Sequence, residues 1–388
     1  MVESQQNDKY PNNFNYEIKM KGKTNAVSST VPVPTITTIR IDNSISDPKS
    51  IITIIKDTGG IKDIRINSHR YLSKKTSDGE ITICMLADYD STRYADGGSA
   101  DLTGGSGDVF MRLPEFYYKA TQIDVNIWDV SFAYGGKPDG AYKKWEGNDL
   151  IGVYEAYVVN NAMYSVSGKT STGNVSLESC RTYARNRGNG FTLVRWEHHS
   201  IMAFLSYAYF ITTDCKNECG SGTSSSTKVT GGTNSYGMRD TQGNNATSIN
   251  FWGLENWWGN KYEWIDNARA YNDILTITAD DGSTRSVPIT TSGGYISSIG
   301  VGSELDANPT NAKASSTTSY CSYIWASTGD NAVARSSDDN GADCGMVTLA
   351  CNYATTYVRS SAGSRLAFRG NIIENNDSTE FKKIIALG

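Results

Sequence analysis

The chain has 388 residues and a net charge of −5, with 11% aromatic and 20% charged residues. That length allows two domains and a sizeable core, and the charge offers neither a basic nucleic-acid surface nor an acidic tail. Thirty-seven glycines, eight prolines and 23 tyrosines suit a loop-rich fold of short strands better than a helical enzyme.

Residues 1–30 are polar and are expected to be flexible. They hold no apolar stretch of the signal-peptide kind, and nowhere do 18 apolar residues run together, so neither secretion by a leader nor membrane insertion is expected. A chain of this kind that acts outside a cell is expected to leave by assembly or lysis. "TITTIRID" (35–42) alternates as a strand. "IKDIRINSHRYLSKK" (61–75) predicts a helix from Ile61, Ile64, Ile66, Tyr71 and Leu72, and "GEITICMLADYD" (79–90) a strand. The Gly/Ser segment 97–108 reads as a hinge and a domain boundary. Beyond it, "VFMRLPEFYYKA" and "IDVNIWDVSFAYGG" predict a hairpin, and "DLIGVYEAYVV" another strand. "SLESCRTYARNRG" predicts a helix capped by Ser176, with Glu178 in its first turn and Gly188 at its end. "RWEHHSIMAFLSYAYFIT" is apolar on most faces and predicts a core helix. A long polar loop and then short strands with Gly/Ser/Asn loops fill the remainder.

Seven cysteines, odd in number and irregular in spacing, argue against a disulfide framework. Cys215 and Cys219 lack the second Cys or His pair of a zinc site, so reduced thiols are expected. His198 and His199 point about 100° apart on a helix and cannot share one ligand site, so packing or capping is their expected role. Asp280-Asp281 and Asp338-Asp339-Asn340-Gly341 read as turns. The block "FWGLENWWGNKYEWIDN" (251–267) is different, because it buries Glu263 between Tyr262 and Trp264. A buried carboxylate demands a partner. Asn260 and Glu263 with neighbouring carbonyls form an oxygen set of the kind calcium takes, and a structural Ca2+ is one expectation; an arginine is the other.

These residues carry a resemblance. "LENWWGNKYEW" resembles the GNxxEW signature of the formylglycine-generating-enzyme type of C-type lectin fold, "TLVRWEHHSIMAFLSYA" its Trp-Glu helix and "GSRLAFRG" its closing strand, over roughly 109–370. The family's enzymes place a Cys-x4-Cys pair before that strand. Here Cys321, Cys344 and Cys351 lack such a partner, and Gly370 stands where the enzymes have Cys. The resemblance therefore implies the scaffold without the copper-thiolate chemistry, and no enzyme. A narrower resemblance, carried by "NSHRYLSKKTSDGEITICML", "GDVFMRLPEFYYKA" and "GSRLAFRG", is to the variable proteins of diversity-generating retroelements, specifically receptor-binding tail proteins of Bacteroides-type phages. In that group adenine-specific errors are written into the 3′ end of the gene. An AAY codon altered only at its adenines never yields Lys, Glu, Gln, Met or Trp. From Ala314 to Ile373 the chain has no Lys, Glu or Gln, although Trp325 and Met346 need another origin.

The resemblance implies an α+β chain. A small β-rich domain for attachment and oligomerisation (1–108) precedes a C-type lectin domain (109–388) whose variable region spans about 320–362. Val347, Leu349 and Cys351 are expected to face the core, with Met346, Thr348 and Ala350 facing out. Leu366 and Phe368 are expected to pack inward beside a free loop at 352–362. The expected receptor-binding residues are Tyr323, Ile324, Trp325, Asn331, Ser337, Asp338, Asp339, Asn340, Thr348, Asn352, Tyr353, Thr355, Thr356 and Tyr357, with Tyr323, Trp325, Tyr353 and Tyr357 as aromatic anchors. The partners implied are a bacterial surface receptor, glycan or protein, and other tail proteins, with a homotrimer favoured and the virion tail as location. A bacterial surface adhesin on the same fold is the alternative, and a catalytic member of the formylglycine-generating family ranks below it.

Overall fold

The computed structural model describes residues 4–6, 14–16, 33–223, 228–241, 248–336 and 343–387. They are built mainly of strands arranged in several sheets. Thr35–Asp42 buries Thr37, Ile39 and Ile41 on one face, as its alternation predicts. It pairs antiparallel with Ile52–Asp57 on one side and Ile127–Tyr134 on the other. The predicted hairpin forms between Phe116–Asp124 and Ile127–Tyr134 and completes a five-stranded sheet with Lys143–Trp145.

The expected helix over 61–75 is shorter than read. Helix α1 is Gly60–Ile66, burying Ile61 and Ile64, and His69–Ser77 is a strand. Arg70 to Lys74 are all buried, which is the pattern of a strand covered on both faces rather than a helix stripe. This strand pairs with Glu80–Ala87 and with Asp108–Arg112. The sheet continues through Asp149–Glu155 and Arg365–Arg369 to Phe191–Leu193. The boundary expected at 108 thus falls inside a sheet: strands from both sides of it are hydrogen-bonded together, and segment 97–108 is a surface connection between them.

A further sheet carries Thr284–Pro288, Ile274–Thr278, Tyr262–Tyr271, Asp330–Ser336, Leu349–Tyr353, Tyr323–Ala326 and Gly294–Tyr295 in that order. Helix α2, Leu177–Arg185, starts where Ser176 Oγ accepts the Ser179 amide, as expected. Helix α3, Trp196–Phe210, is buried on nearly every face, as its composition predicts. His198 caps it: the Arg195 amide donates to His198 Nδ1 at 3.1 Å. His199 stacks on Trp257 at 4.2 Å between centroids. No helix among the described residues is long and apolar enough to cross a membrane.

Candidate functional site

The two faces of the 262–353 sheet differ. On one, Ile324, Val333, Leu349 and Cys351 join the large core around α3. On the other, Ala332, Ala334 and Ala350 form a floor of small side chains. Aromatic rings lie over that floor because alanine leaves room for them. Tyr262 meets Trp325 edge-on at 5.7 Å and Tyr353 at 6.3 Å. Tyr323 lies 4.6 Å from Trp325 and 5.1 Å from Tyr295, while Tyr353 stacks on Tyr357 at 4.3 Å and 10°. The outcome is a continuous aromatic strip, half-buried at Tyr323, Trp325 and Tyr353 and exposed at Tyr357. Polar groups sit at both ends: Tyr295 Oη donates to Asp343 at 2.5 Å, and Arg359 donates to Tyr353 Oη at 3.4 Å.

A bulge sets this register. Ala334 pairs with Ala350, but Ala332 pairs with Tyr353, so Leu349–Tyr353 carries one extra residue. Simple alternation would send Tyr353 to the face opposite Ala350; the bulge returns it to the aromatic side. Burial around this strand corrects the inside-outside expectation. Val347, Leu349 and Cys351 face the core as predicted, yet Met346, Thr348 and Ala350 are buried too. Thr348 is 0% exposed and donates to the Asp343 carbonyl, so it is no contact residue. Ile324 is equally buried. Asn331 is buried and closes its own hairpin, donating to Ser327 Oγ and to the carbonyls of Ser327, Thr328 and Gly329. Asn352 and Thr355 are half-buried and Thr356 is exposed. Ser337, Asp338, Asp339 and Asn340 lie outside the described residues. Tyr262 and Tyr295 belong to the strip but were not expected there. The period-2 pattern of Tyr262-Glu263-Trp264 held the signal, since a buried Glu263 forces both rings to the opposite face.

The loop after Tyr353 is tied at its far end. The Asn174 amide donates to Arg359 O, Lys261 Nζ to Ser360 O and the Tyr262 amide to Ser361 O, at 2.7–2.8 Å. A Cβ on Gly173 would stand 1.9 Å from Ser360 O, so the backbones touch there.

Glu263 faces the core, where an arginine meets it. Arg365, fully buried, approaches Glu263 Oε1 at 2.8 Å through Nε and 2.6 Å through its terminal nitrogen. The remaining guanidinium protons go to the carbonyls of Gly152, Val153, Glu255 and Asn256. Burial alone pushes the Glu263 carboxyl up, but the charge of Arg365, helped by the His199 ring beside it, outweighs that and holds it below the ordinary glutamate range. Asn260 turns elsewhere, donating to Glu155 and Ser171. The calcium expectation at Asn260 and Glu263 is thereby corrected: the two side chains serve different partners, and a divalent ion at Glu263 would sit against a guanidinium. Cys215 and Cys219 are buried free thiols on one short helix, and burial pushes Cys215 up to about 12.

The chain matches no protein-family model and none of the curated proteins. Among solved structures it is similar to one titled Major Tropism Determinant U1 Variant, at 12% identity and a TM-score of 0.31, over 79% of this chain and 73% of that one. At that level of similarity the reading of function rests on the residues of the site.

Proposed function

We propose that the chain is a non-catalytic receptor-binding protein of a phage tail. In this reading the chain presents a C-type lectin scaffold, and the strip of Tyr323, Trp325, Tyr353 and Tyr357 contacts a receptor on the bacterial surface. The observation that carries it is the strip itself: adjoining rings, partly exposed, on a floor of alanines and beside a loop that leaves the sheet at Tyr353 and is tied at its far end. Aromatic side chains offer large contact area with few rotatable bonds, which is why they dominate protein recognition surfaces. The surrounding Ser, Thr, Asn and Tyr, and the absence of Lys, Glu and Gln from 314 to 373, fit the adenine-directed variation of the retroelement group. Assembly as a homotrimer with other tail proteins belongs to the same proposal and would add avidity.

The test is adsorption of purified protein to a panel of candidate hosts. Trp325→Ala and Tyr357→Ala are expected to weaken adsorption at least tenfold, as loss of an interface anchor costs about 2 kcal/mol or more. Unchanged adsorption by both variants would refute the site.

A further inference from the structure

A second surface, separate from the aromatic strip, has the chemistry of a ligand site. Two adjoining cavities of about 290 and 320 Å3 lie where α2, the start of α3 and the 262–271 strand converge. They share Arg185, Arg195 and Asp266 and so form one trough. Five arginines line it, at 181, 185, 195, 269 and 369, against Asp149, Asp266 and Asp280. Glu178, Glu197 and Asp330 pair with these arginines from just outside the lining, so the charges nearly balance and what the trough offers is a set of ordered guanidinium groups.

Four of these arginines are oriented by carboxylates. Arg181 donates to Asp266 and Glu178, Arg195 to Asp280, Arg369 to Asp149 and Asp280, and Arg269 to Asp330. Arg185 is the exception. It is exposed, lines both cavities, and its guanidinium has no hydrogen bond or ion pair among the described residues. Two further donors in the walls are loosely held. Arg195 Nε is buried with Glu197 Oε2 at 3.6 Å, an ion pair beyond hydrogen-bond distance. His198, 2% exposed, lines the second cavity with an unbonded Nε2 that stands 3.5 Å from Asp149 Oδ2. Phe191 and Phe368 give the same cavity an apolar wall.

We infer that this trough binds an oxyanion borne on a small ring: the carboxylate of a uronate or the phosphate of a sugar phosphate. Guanidinium groups present a planar fork that matches carboxylate and phosphate oxygens, and a held arginine loses little freedom on binding. The volume suits one monosaccharide unit, at the small end of ligand sites. The edges of Phe191 and Phe368, 5% and 1% exposed, supply the apolar floor under a sugar ring, and Arg185 supplies the uncommitted charge. The site is independent of the aromatic strip, and either can fail without the other.

The experiment is calorimetric titration of the full chain with glucuronate, glucose 6-phosphate, inorganic phosphate and glucose, each to about 10 mM, a range that captures millimolar affinity. Arg185→Ala breaks no ion pair and should fold; Lys137→Ala, an exposed charge elsewhere, controls for general attraction. Binding of glucuronate or glucose 6-phosphate but not glucose, weakened at least tenfold by Arg185→Ala and unchanged by Lys137→Ala, is expected. Preference for glucuronate identifies a uronate source, and preference for glucose 6-phosphate a phosphate source. Inorganic phosphate binding as tightly as either sugar would overturn the ring contact. Failure of every anion to bind, binding of glucose equal to glucuronate, or equal losses in the two variants would overturn the site. Trp325→Ala should leave these titrations unchanged, which separates this result from the test of the aromatic strip.

Discussion

At the residue scale the chain shows how far a single buried charge can be read. Glu263 announced that it needed a partner, but the partner lies 102 positions away and only folding selects it. The choice between a cation and an arginine turns on which strand comes alongside, and that is a tertiary fact. Two expectations follow. Glu263→Gln leaves Arg365 buried without its counter-charge and should cost about 3–5 kcal/mol in denaturant unfolding; a loss below 1 kcal/mol would show that the pair carries no such weight. Chelation of divalent ions should leave the melting temperature unchanged. His199 gives a pH signature. Burial, chiefly, depresses it to about 4, although its contact with Glu263 acts the other way. An unfolded histidine titrates near 6.5, so between about 6.5 and 4 the unfolded chain takes up a proton that the folded one refuses. Stability from this residue is present above that window and lost as pH falls through it, by an amount on the order of 3 kcal/mol. The wild type should therefore lose stability more steeply than His199→Phe between pH 6.5 and 4.5. Parallel curves for the two proteins would contradict a buried neutral imidazole.

At the scale of elements, local pattern succeeded where one rule governed and failed where two competed. Ser176 marked the start of α2, and the apolar run 196–210 made a core helix, because capping and burial act locally. Segment 61–75 mixed about two helical turns with a strand buried on both faces, and periodicity alone cannot separate a doubly buried strand from a helix. The bulge opposite Ala332 left no mark in the sequence, so Tyr353 reads as part of a free loop although the sheet seats its ring; Thr348 reads as outward by alternation although it precedes the strand and turns its hydroxyl to the Asp343 carbonyl. The closing strand was legible: Leu366 and Phe368 are buried as expected, and Phe368 packs edge-on against Phe191 at 4.9 Å. Phe368→Ala should cost about 3–5 kcal/mol, whereas the exposed Thr356→Ala should stay within about 0.5 kcal/mol. Tyr353→Ala should fall between them, because its ring is half-buried against Tyr262 and Trp264. Similar melting shifts for all three would remove the distinction between scaffold and loop.

At the scale of the molecule, the sheets explain what segment 320–362 is able to change. A composition-based reading treats it as one free surface, yet the structure threads it through the core. Arg335 is fully buried, stacks 3.9 Å over Trp196 and donates to the carbonyls of Val347 and Ala307. Val333, Leu349 and Cys351 pack beneath the sheet, and Ala332, Ala334 and Ala350 support the rings above it. Altering any of these costs stability before it alters recognition: an enlarged alanine forces strain typically worth about 1–3 kcal/mol. Among the described residues, exchange of specificity between sibling proteins should accordingly need the positions that reach solvent, 323, 325 and 352–358. Chimeras limited to those positions should keep the melting temperature of the recipient and take the host preference of the donor in adsorption assays. Chimeras carrying the whole of 320–362 should transfer preference only where the donor keeps alanine at 332, 334 and 350 and arginine at 335, and should otherwise melt lower. Host preference that follows residues 35–108 instead would place recognition elsewhere and leave the aromatic strip a packing feature of the sheet.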